Sequence, residues 1–294
     1  MKHSKQTNLL QRITACCLLT ACWACSSEVT EGLQVEEGTP VKIVAEIQEL
    51  TQTKTAVEEN SYDRTSFIIG DKIRVNRIES NASAQRVDYT YTAGSPGSSG
   101  TWATTADPIV LKAGSKYEAT YPSDYTNILQ DQSKSDGSDF LKSNLLKSGQ
   151  ITSRDGVLHF TGDGAFTHQN VKLTLVFKVS AGSLTGDFTT ALLSAPGLIN
   201  GGDKTENITL FRPDAAAYTW CGIVYPKGGS GTTNLNLQLT YQGVVYKATL
   251  SCGLAAGTHY TYTLTLKNDI LVPEGSTIDD WKTDPNGDYT GGFN

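Results

Sequence analysis

The chain has 294 residues, of which 28 are glycine and 13 are tyrosine; 18% are charged, and the formal net charge is −6. This length is enough for one large domain or two modest ones, and the richness in Thr, Ser, Tyr and Gly is typical of exported, β-rich proteins. The sequence contains no basic stripe that would neutralise phosphates, which argues against a nucleic-acid partner.

The N-terminus has the pattern of a secretory signal peptide. Lys2, Lys5 and Arg12 precede the mostly apolar run ITACCLLTACWA, which is shorter than the roughly 20 apolar residues that span a bilayer. The run contains Leu-Thr-Ala-Cys, which resembles the bacterial lipobox, and we therefore predict lipidation at Cys22, with Cys25 as the alternative. A secretory signal without a lipid is the other interpretation.

This interpretation divides the N-terminal region into a signal peptide (1–21) and a polar, acidic tether (22–40). Because CxxC at this position lies in an apolar signal and lacks a second ligand pair, we do not assign it to a metal site. A lipid on the new N-terminus would attach the protein to a membrane surface without spanning the membrane.

From Val41 the sequence alternates in the manner of strands. VKIVAEIQE places Val41, Ile43, Ala45 and Ile47 on one face, and TQTKTAVEENSYDRTS reads as a long exposed loop. One short helix is predicted in DFLKSNLLKSG (139–149). Further strands are predicted in FIIGDKIRV (67–75), VDYTYT (87–92), PIVL (108–111), YEATY (117–121), VLHF (157–160) and VKLTLVFKV (171–179).

The C-terminal third reads as a meander, with a Gln-Gly turn at 242–243. Its strands are predicted in AYTWCGIVY (217–225), TNLNLQLTY (233–241), VVYKATLSC (244–252) and HYTYTLTLK (259–267). Many short strands separated by turn residues indicate β-sandwiches. We expect an all-β protein with an N-terminal domain at 41–179 and a C-terminal domain at 180–294.

The sequence offers little for catalysis. After the signal peptide the histidines are His159, His168 and His259, and none lies in an HExxH or similar metal motif. We expect His168 and His259, each at the start of a strand, to bond to the backbone. No nucleophile elbow or phosphate-binding loop is present, so the prediction is a protein without cofactor, metal or enzymatic activity.

Two cysteines lie in predicted C-terminal strands, Cys221 and Cys252. An exported chain favours their pairing as a disulfide. The alternative is a pair of buried thiols, since a bridge requires Cα atoms within about 7 Å.

Several segments together resemble the fimbrillin family. They occur in the family's order, over roughly 41–281: SFIIGDKIRV, YTY, GTW (100–102), AGSKYEATYPS (113–123), GAFTHQNVKLTL (164–175), AAGTHYTYTLTL (255–266) and STIDDW (276–281). The resemblance implies two tandem transthyretin-like β-sandwiches, export as an outer-membrane lipoprotein, and a structural or accessory role in type V fimbriae, in adhesion. The implied partners are other fimbrial subunits, a host glycan or protein ligand, and the membrane through the lipid anchor.

The resemblance also implies assembly by strand exchange. In fimbrillins a protease specific for basic residues removes the first strand, and a neighbour's C-terminal segment fills the groove. Lys54 and Arg64 are the candidate processing sites, although Lys54 stands where the family usually has Arg. The tail KTDPNGDYTGGFN offers only Tyr289 and Phe293 as large apolar groups, so we expect a tip-like subunit that accepts a strand and donates one poorly. A non-polymerising lipoprotein that binds glycan through exposed aromatic residues is the alternative.

Overall fold

The computed structural model describes residues 37–48, 66–93, 100–179, 188–214, 218–227, 232–267 and 270–280. These residues are mainly strands, which confirms the all-β prediction. One α-helix, α1 (Ser138–Ser143), and a 3-10 turn at Gly162–Gly164 lie among them. The strands are β1 (Lys42–Ala45), β2 (Lys72–Glu79), β3 (Ala82–Thr92), β4 (Thr101–Ala103), β5 (Lys116–Tyr121), β6 (Leu146–Lys147), β7 (Val157–Phe160), β8 (Thr167–His168), β9 (Val171–Val179), β10 (Phe188–Pro196), β11 (Thr205–Thr209), β12 (Thr219–Val224), β13 (Thr233–Tyr241), β14 (Val244–Cys252), β15 (Thr258–Lys267) and β16 (Ile270–Asp280).

A six-stranded sheet in the order β4-β3-β2-β5-β6-β8 dominates the first part of the fold. Strict alternation turns Ile73 and Val75 of β2 and Tyr117 of β5 to one face, where each is 0% exposed. Strands β1 and β7 form a separate parallel pair, and their apolar side chains join the same hydrophobic cluster. The two layers therefore share one core.

The second part is a sandwich of two four-stranded sheets. Their orders are β11-β10-β13-β14 and β12-β9-β15-β16. Leu235, Leu237 and Leu239 of β13 and Leu173 and Leu175 of β9 are buried in a single cluster between them. The alternation of apolar residues in both strands thus corresponds to their inward faces.

The strand pairing of this second part differs from the predicted meander. Strand β12 pairs with β9 rather than with β13, and β15 runs parallel to β9. Consequently β9, which the sequence analysis placed at the end of the N-terminal domain, contributes its side chains to the C-terminal core. Periodicity identifies a strand and its buried face, but it does not identify the neighbouring strand.

Two local predictions are also refined. The helix predicted at 139–149 is present as α1, but it ends at Ser143, and residues 146 and 147 form β6. The PIVL segment forms an isolated bridge between Val110 and Pro40 instead of a regular strand. No helix in the described residues is both long enough and apolar enough to cross a bilayer.

Candidate functional site: the first strand and its groove

The backbone of the first strand and of the residue before it bonds to two other segments. Strand β1 runs parallel to β7, with Lys42 opposite Val157 and Ala45 opposite Phe160. Before the strand, the Val41 amide donates to the Ile109 carbonyl at 3.0 Å. The hydrogen bond at Val41 and the ladder with β7 together fix the register of this segment.

The residues after β1 continue the same ladder. The Glu46 amide donates to the Phe160 carbonyl at 3.0 Å, the Phe166 amide donates to the Glu46 carbonyl at 2.9 Å, and the Gln48 amide donates to the Phe166 carbonyl at 2.9 Å. Phe166 therefore holds the end of the first strand by two backbone hydrogen bonds.

The side chains of this segment alternate as the sequence predicts. Val41, Ile43 and Ile47 are 6%, 9% and 3% exposed, whereas Val44 on the opposite face is 43% exposed. Ala45 is half-buried against the same cluster. The groove that receives these side chains contains residues that are each 0% exposed, namely Ile109, Leu158, Phe160 and Phe166.

One edge of β1 opens on a cleft. Among the described residues the ladder of β1 involves β7 alone. A cleft of about 840 Å³ lies beside the end of the strand. It is lined by Ala45, Glu46, Ile47, Gln48, Ser66, Phe67, Tyr91, Gly162, Asp163, Ala165 and Thr167. Gln48 and Ser66, on either side of residues 49–65 in the sequence, both line this cleft.

Phe67 closes the groove at that end. Its ring meets Trp102, Tyr121 and Phe166 edge-on, with centroid distances of 5.1, 5.6 and 5.1 Å. Such edge-to-face pairs contribute about 0.5–1.5 kcal/mol each beyond their burial. Phe166 therefore contacts the chain on both sides of residues 49–65.

Asp71 fixes the backbone of the segment that contains Phe67. Its carboxylate accepts the Ile68 amide at 2.8 Å and the Tyr121 hydroxyl at 3.0 Å. The carboxylate is only 8% exposed, so these donors compensate for its lost hydration. Phe166 and Asp71 are the site residues that sequence reasoning did not single out, although both lie in segments that carried the family resemblance.

Four predicted site residues fall outside the described residues. These are the lipidation candidates Cys22 and Cys25 and the processing candidates Lys54 and Arg64.

The predicted Cys221–Cys252 disulfide is not present, because both residues are buried thiols without a disulfide bond. Cys221 lies opposite Thr174 on the outward face of its sheet, and its Sγ is 3.6 Å from the Thr174 Oγ1. Cys252 instead contacts Tyr262, which pairs with the inward-facing Leu175. The Cys221 thiol thus lies on the outer face of the sheet β12-β9-β15-β16. The Cys252 thiol comes from β14 of the facing sheet and lies against the inner face, so a bridge cannot join the two.

His168 and His259 each lie within hydrogen-bonding distance of a side chain. The His168 Nδ1 lies 3.0 Å from the Asn144 Oδ1, and the His259 Nε2 lies 2.8 Å from the Thr174 Oγ1. Burial, with smaller contributions from the charges of Lys172 and His168, holds the pKa of His259 well below its usual value. Within the described residues, no three His, Cys, Asp or Glu side chains lie close enough to hold a metal ion.

Comparisons with known proteins agree with this architecture. The model of the fimbrillin-like family matches residues 34–281. A candidate cell-adhesion protein of Bacteroides uniformis ATCC 8492 superposes with a TM-score of 0.56 at 16% identity, covering 84% of this chain and 98% of that one. A second, from Bacteroides ovatus ATCC 8483, gives 0.59 at 15% identity, covering 85% and 100%. At these identities the likeness concerns the fold; the comparison with curated proteins gives no match.

Proposed function

The chain belongs to the fimbrillin-like family, and we propose that it is an accessory, tip-like subunit of type V fimbriae that acts in adhesion at the cell surface. The observation that carries this proposal is the attachment of the first strand. Strand β1 pairs with β7 along one edge, and the buried side chains of this segment, Val41, Ile43 and Ile47, are at most 9% exposed. A segment held by such contacts could dissociate from the rest of the protein once the chain on its C-terminal side is cut.

Its removal would create an acceptor for another strand. The carbonyl and amide groups of β7 and Phe166 would lose their partners, and the apolar groove beneath would be open to water. Unpaired strand edges and alternating apolar pockets are the features that recruit an added strand. The incoming strand would belong to another fimbrial subunit, which makes such subunits the expected partners.

The segment that follows the first strand contains candidate processing sites. Residues 49–65 contain two basic residues, Lys54 and Arg64. A protease specific for basic residues would cut at one of them, and the fragment that carries β1 would then be held by non-covalent contacts alone.

The exchange is directly testable with a labelled peptide of residues 37–48. Protein cut by a protease specific for Lys or Arg should take up this peptide, and uncut protein should not. A peptide with Ile43→Asp should fail to bind, whereas a peptide with Val44→Asp should bind, because Val44 faces solvent. Equal uptake by cut and uncut protein would contradict the proposal.

The role as an acceptor follows from the composition of the tail. Residues 282–294 carry only Tyr289 and Phe293 as large apolar side chains, too few to refill a groove that takes alternating apolar residues. We therefore place the subunit at the tip or in a minor position. Crosslinking in purified pili tests this: copies repeated along the shaft, each with its tail in the next groove, would contradict it.

Attachment to the membrane rests on the Leu-Thr-Ala-Cys segment. We propose a lipid on Cys22, or on Cys25, which would make the protein an outer-membrane lipoprotein. Cells fed a fatty-acid analogue should label the protein, and substitution of both cysteines should abolish the label. A labelled double variant would show that neither cysteine carries the lipid.

A further inference from the structure

The outward face of the sheet β11-β10-β13-β14 has an unusual composition. Its residues are Thr190, Leu192, Ser194, Pro196, Thr205, Asn207, Thr209, Asn234, Asn236, Gln238, Thr240, Val245, Lys247, Thr249 and Ser251. We call this surface the amide face. All are exposed or half-buried, and Lys247 is the one charged side chain among them. Hydroxyl and carboxamide groups supply nearly all of its polar atoms.

These groups are arranged in rows across the strands. Asn207, Ser194, Asn236 and Thr249 are successive partners on β11, β10, β13 and β14. At the usual spacing between strands, this row is about 14 Å long. A groove of about 520 Å³ follows part of the face and is lined by Ser194, Asn236, Gln238, Lys247 and Thr249, with backbone neighbours Leu237 and Ala248.

Internal hydrogen bonds orient the amides. The Thr249 hydroxyl donates to the Asn236 Oδ1 at 3.3 Å, and the Ser251 hydroxyl donates to the Asn234 Oδ1 at 3.0 Å. Both bonds use the amide oxygen, so the Nδ2 groups keep their two donors each for a ligand. The face therefore presents fixed donors next to hydroxyls that can both donate and accept.

This chemistry excludes several kinds of ligand. A polyanion requires several cations, whereas the amide face has Lys247 alone. Protein interfaces are enriched in Tyr, Trp and Arg and depleted in Ser, and the face has none of the enriched residues. Among the described residues Tyr225, at 38%, is the one exposed aromatic side chain of the Phe, Tyr and Trp type, and it lies after β12 and is not part of the amide face.

A neutral glycan is a class of ligand that these exclusions leave. The hydroxyls of an uncharged hexose each donate and accept, as the amide and hydroxyl groups of the face do, and Lys247 is the one charged group of the face whose hydration such contacts would change. An extended glycan chain would lie along the groove and contact successive rows. We propose that the amide face is a binding surface for a neutral polysaccharide, recognised through carboxamides and hydroxyls rather than by aromatic stacking. This goes beyond the fimbrial role and does not depend on strand exchange.

Native gels of the full chain that contain mannan, dextran, laminarin, heparin or polygalacturonate test the proposal. The protein should be retarded by at least one of the three neutral polymers and by neither acidic polymer. The retardation should persist in high salt, since no ion pairs are screened. Asn236→Ala combined with Gln238→Ala should weaken binding at least tenfold, while Gln150→Ala, on a separate polar surface, should leave it unchanged. Unchanged thermal melting of the double variant would show that it is folded.

Four outcomes would overturn the proposal. They are binding by none of the neutral polymers, stronger retardation by heparin or polygalacturonate, undiminished binding by the folded double variant, and concentration-dependent self-association that the double variant abolishes. The last would identify the amide face as a contact between copies of the chain. Because uncut protein is used throughout, none of these outcomes bears on strand exchange.

Discussion

The exchange of the first strand should depend on one side chain far more than on its neighbour. Ile43 is 9% exposed and belongs to the hydrophobic cluster between the six-stranded sheet and the β1–β7 pair. Val44, next to it, is 43% exposed and faces outward. Truncating a buried Ile to Ala costs about 2–5 kcal/mol; because Ile43 keeps some exposure, we expect about 2–4 kcal/mol. Val44→Ala should change stability by no more than about 0.5 kcal/mol, as for other surface positions.

These energies translate into rates of strand release. Once residues 49–65 are cut, only non-covalent contacts retain the strand, and each 1.4 kcal/mol corresponds to a factor of ten. If the lost contacts form late in binding, Ile43→Ala should release the fragment about 30- to 1,000-fold faster, and Val44→Ala about twofold faster at most.

A specific protease site inserted between residues 49 and 65 makes this assay independent of Lys54 and Arg64. Release of a fluorescent N-terminal fragment into excess unlabelled peptide 37–48 is then followed on native gels. Similar rates for Ile43→Ala and Val44→Ala would refute the assignment of the buried face. A fragment that never leaves, even with Ile43→Ala, would refute the idea that backbone pairing and three side chains alone retain the strand.

Three further predictions concern the C-terminal sandwich. Because the folded state holds the pKa of His259 well below its usual value, protonation favours the unfolded chain; the free energy of unfolding, measured by urea titration, should fall as pH drops below about 6.5, and His259→Gln should flatten this dependence. Alkylation followed by peptide mapping should find Cys221 and Cys252 unmodified in folded protein and both modified after denaturation without reductant, whereas resistance after denaturation would indicate a disulfide. Gly197, at a φ of 66°, would place an added Cβ 2.2 Å from the Gly202 carbonyl oxygen, while Gly243, at 77°, has nothing within 4 Å; thermal melting should therefore show Gly197→Ala to cost about 2–4 kcal/mol and Gly243→Ala about 1–2 kcal/mol.

The sequence patterns identified which face of a strand is buried better than they identified which strands pair with each other. The alternation in 41–47 gave the buried side correctly, because a strand with one face in a core has to alternate. The pairing of β9 with β12 and β15 depends on contacts distant in the chain, which no local pattern encodes. Strand β10 was missed because its register shifts between Phe188 and Thr190, and β16 carries Pro273, which interrupts a strand pattern.

The sequence likewise predicted one part of the candidate site and missed another. Val41, Ile43 and Ile47 were identified as one apolar face, and the family resemblance supplied the idea that this strand is exchangeable. The groove could not be found, because Ile109, Leu158 and Phe166 come from separate segments and meet only in the folded chain. The disulfide prediction failed for a related reason: both cysteines lie in strands, but the direction of each side chain depends on which residue faces the core.

The parallel pairing of β1 with β7 also has a consequence for the order of folding. Lys42 lies opposite Val157, so the first strand to be synthesised cannot pair until more than a hundred further residues have followed it. Contacts of such sequence separation form slowly, since the entropy of closing the loop is lost before any contact compensates for it. Hairpins such as β2–β3 and β13–β14 join strands that are adjacent in the chain, so they can form as soon as both strands have been synthesised. The N-terminal strand is therefore expected to dock late, onto sheets whose hairpins have already formed. During biogenesis the groove would then be open for a time, in the form that an exchanging subunit would later have to reach.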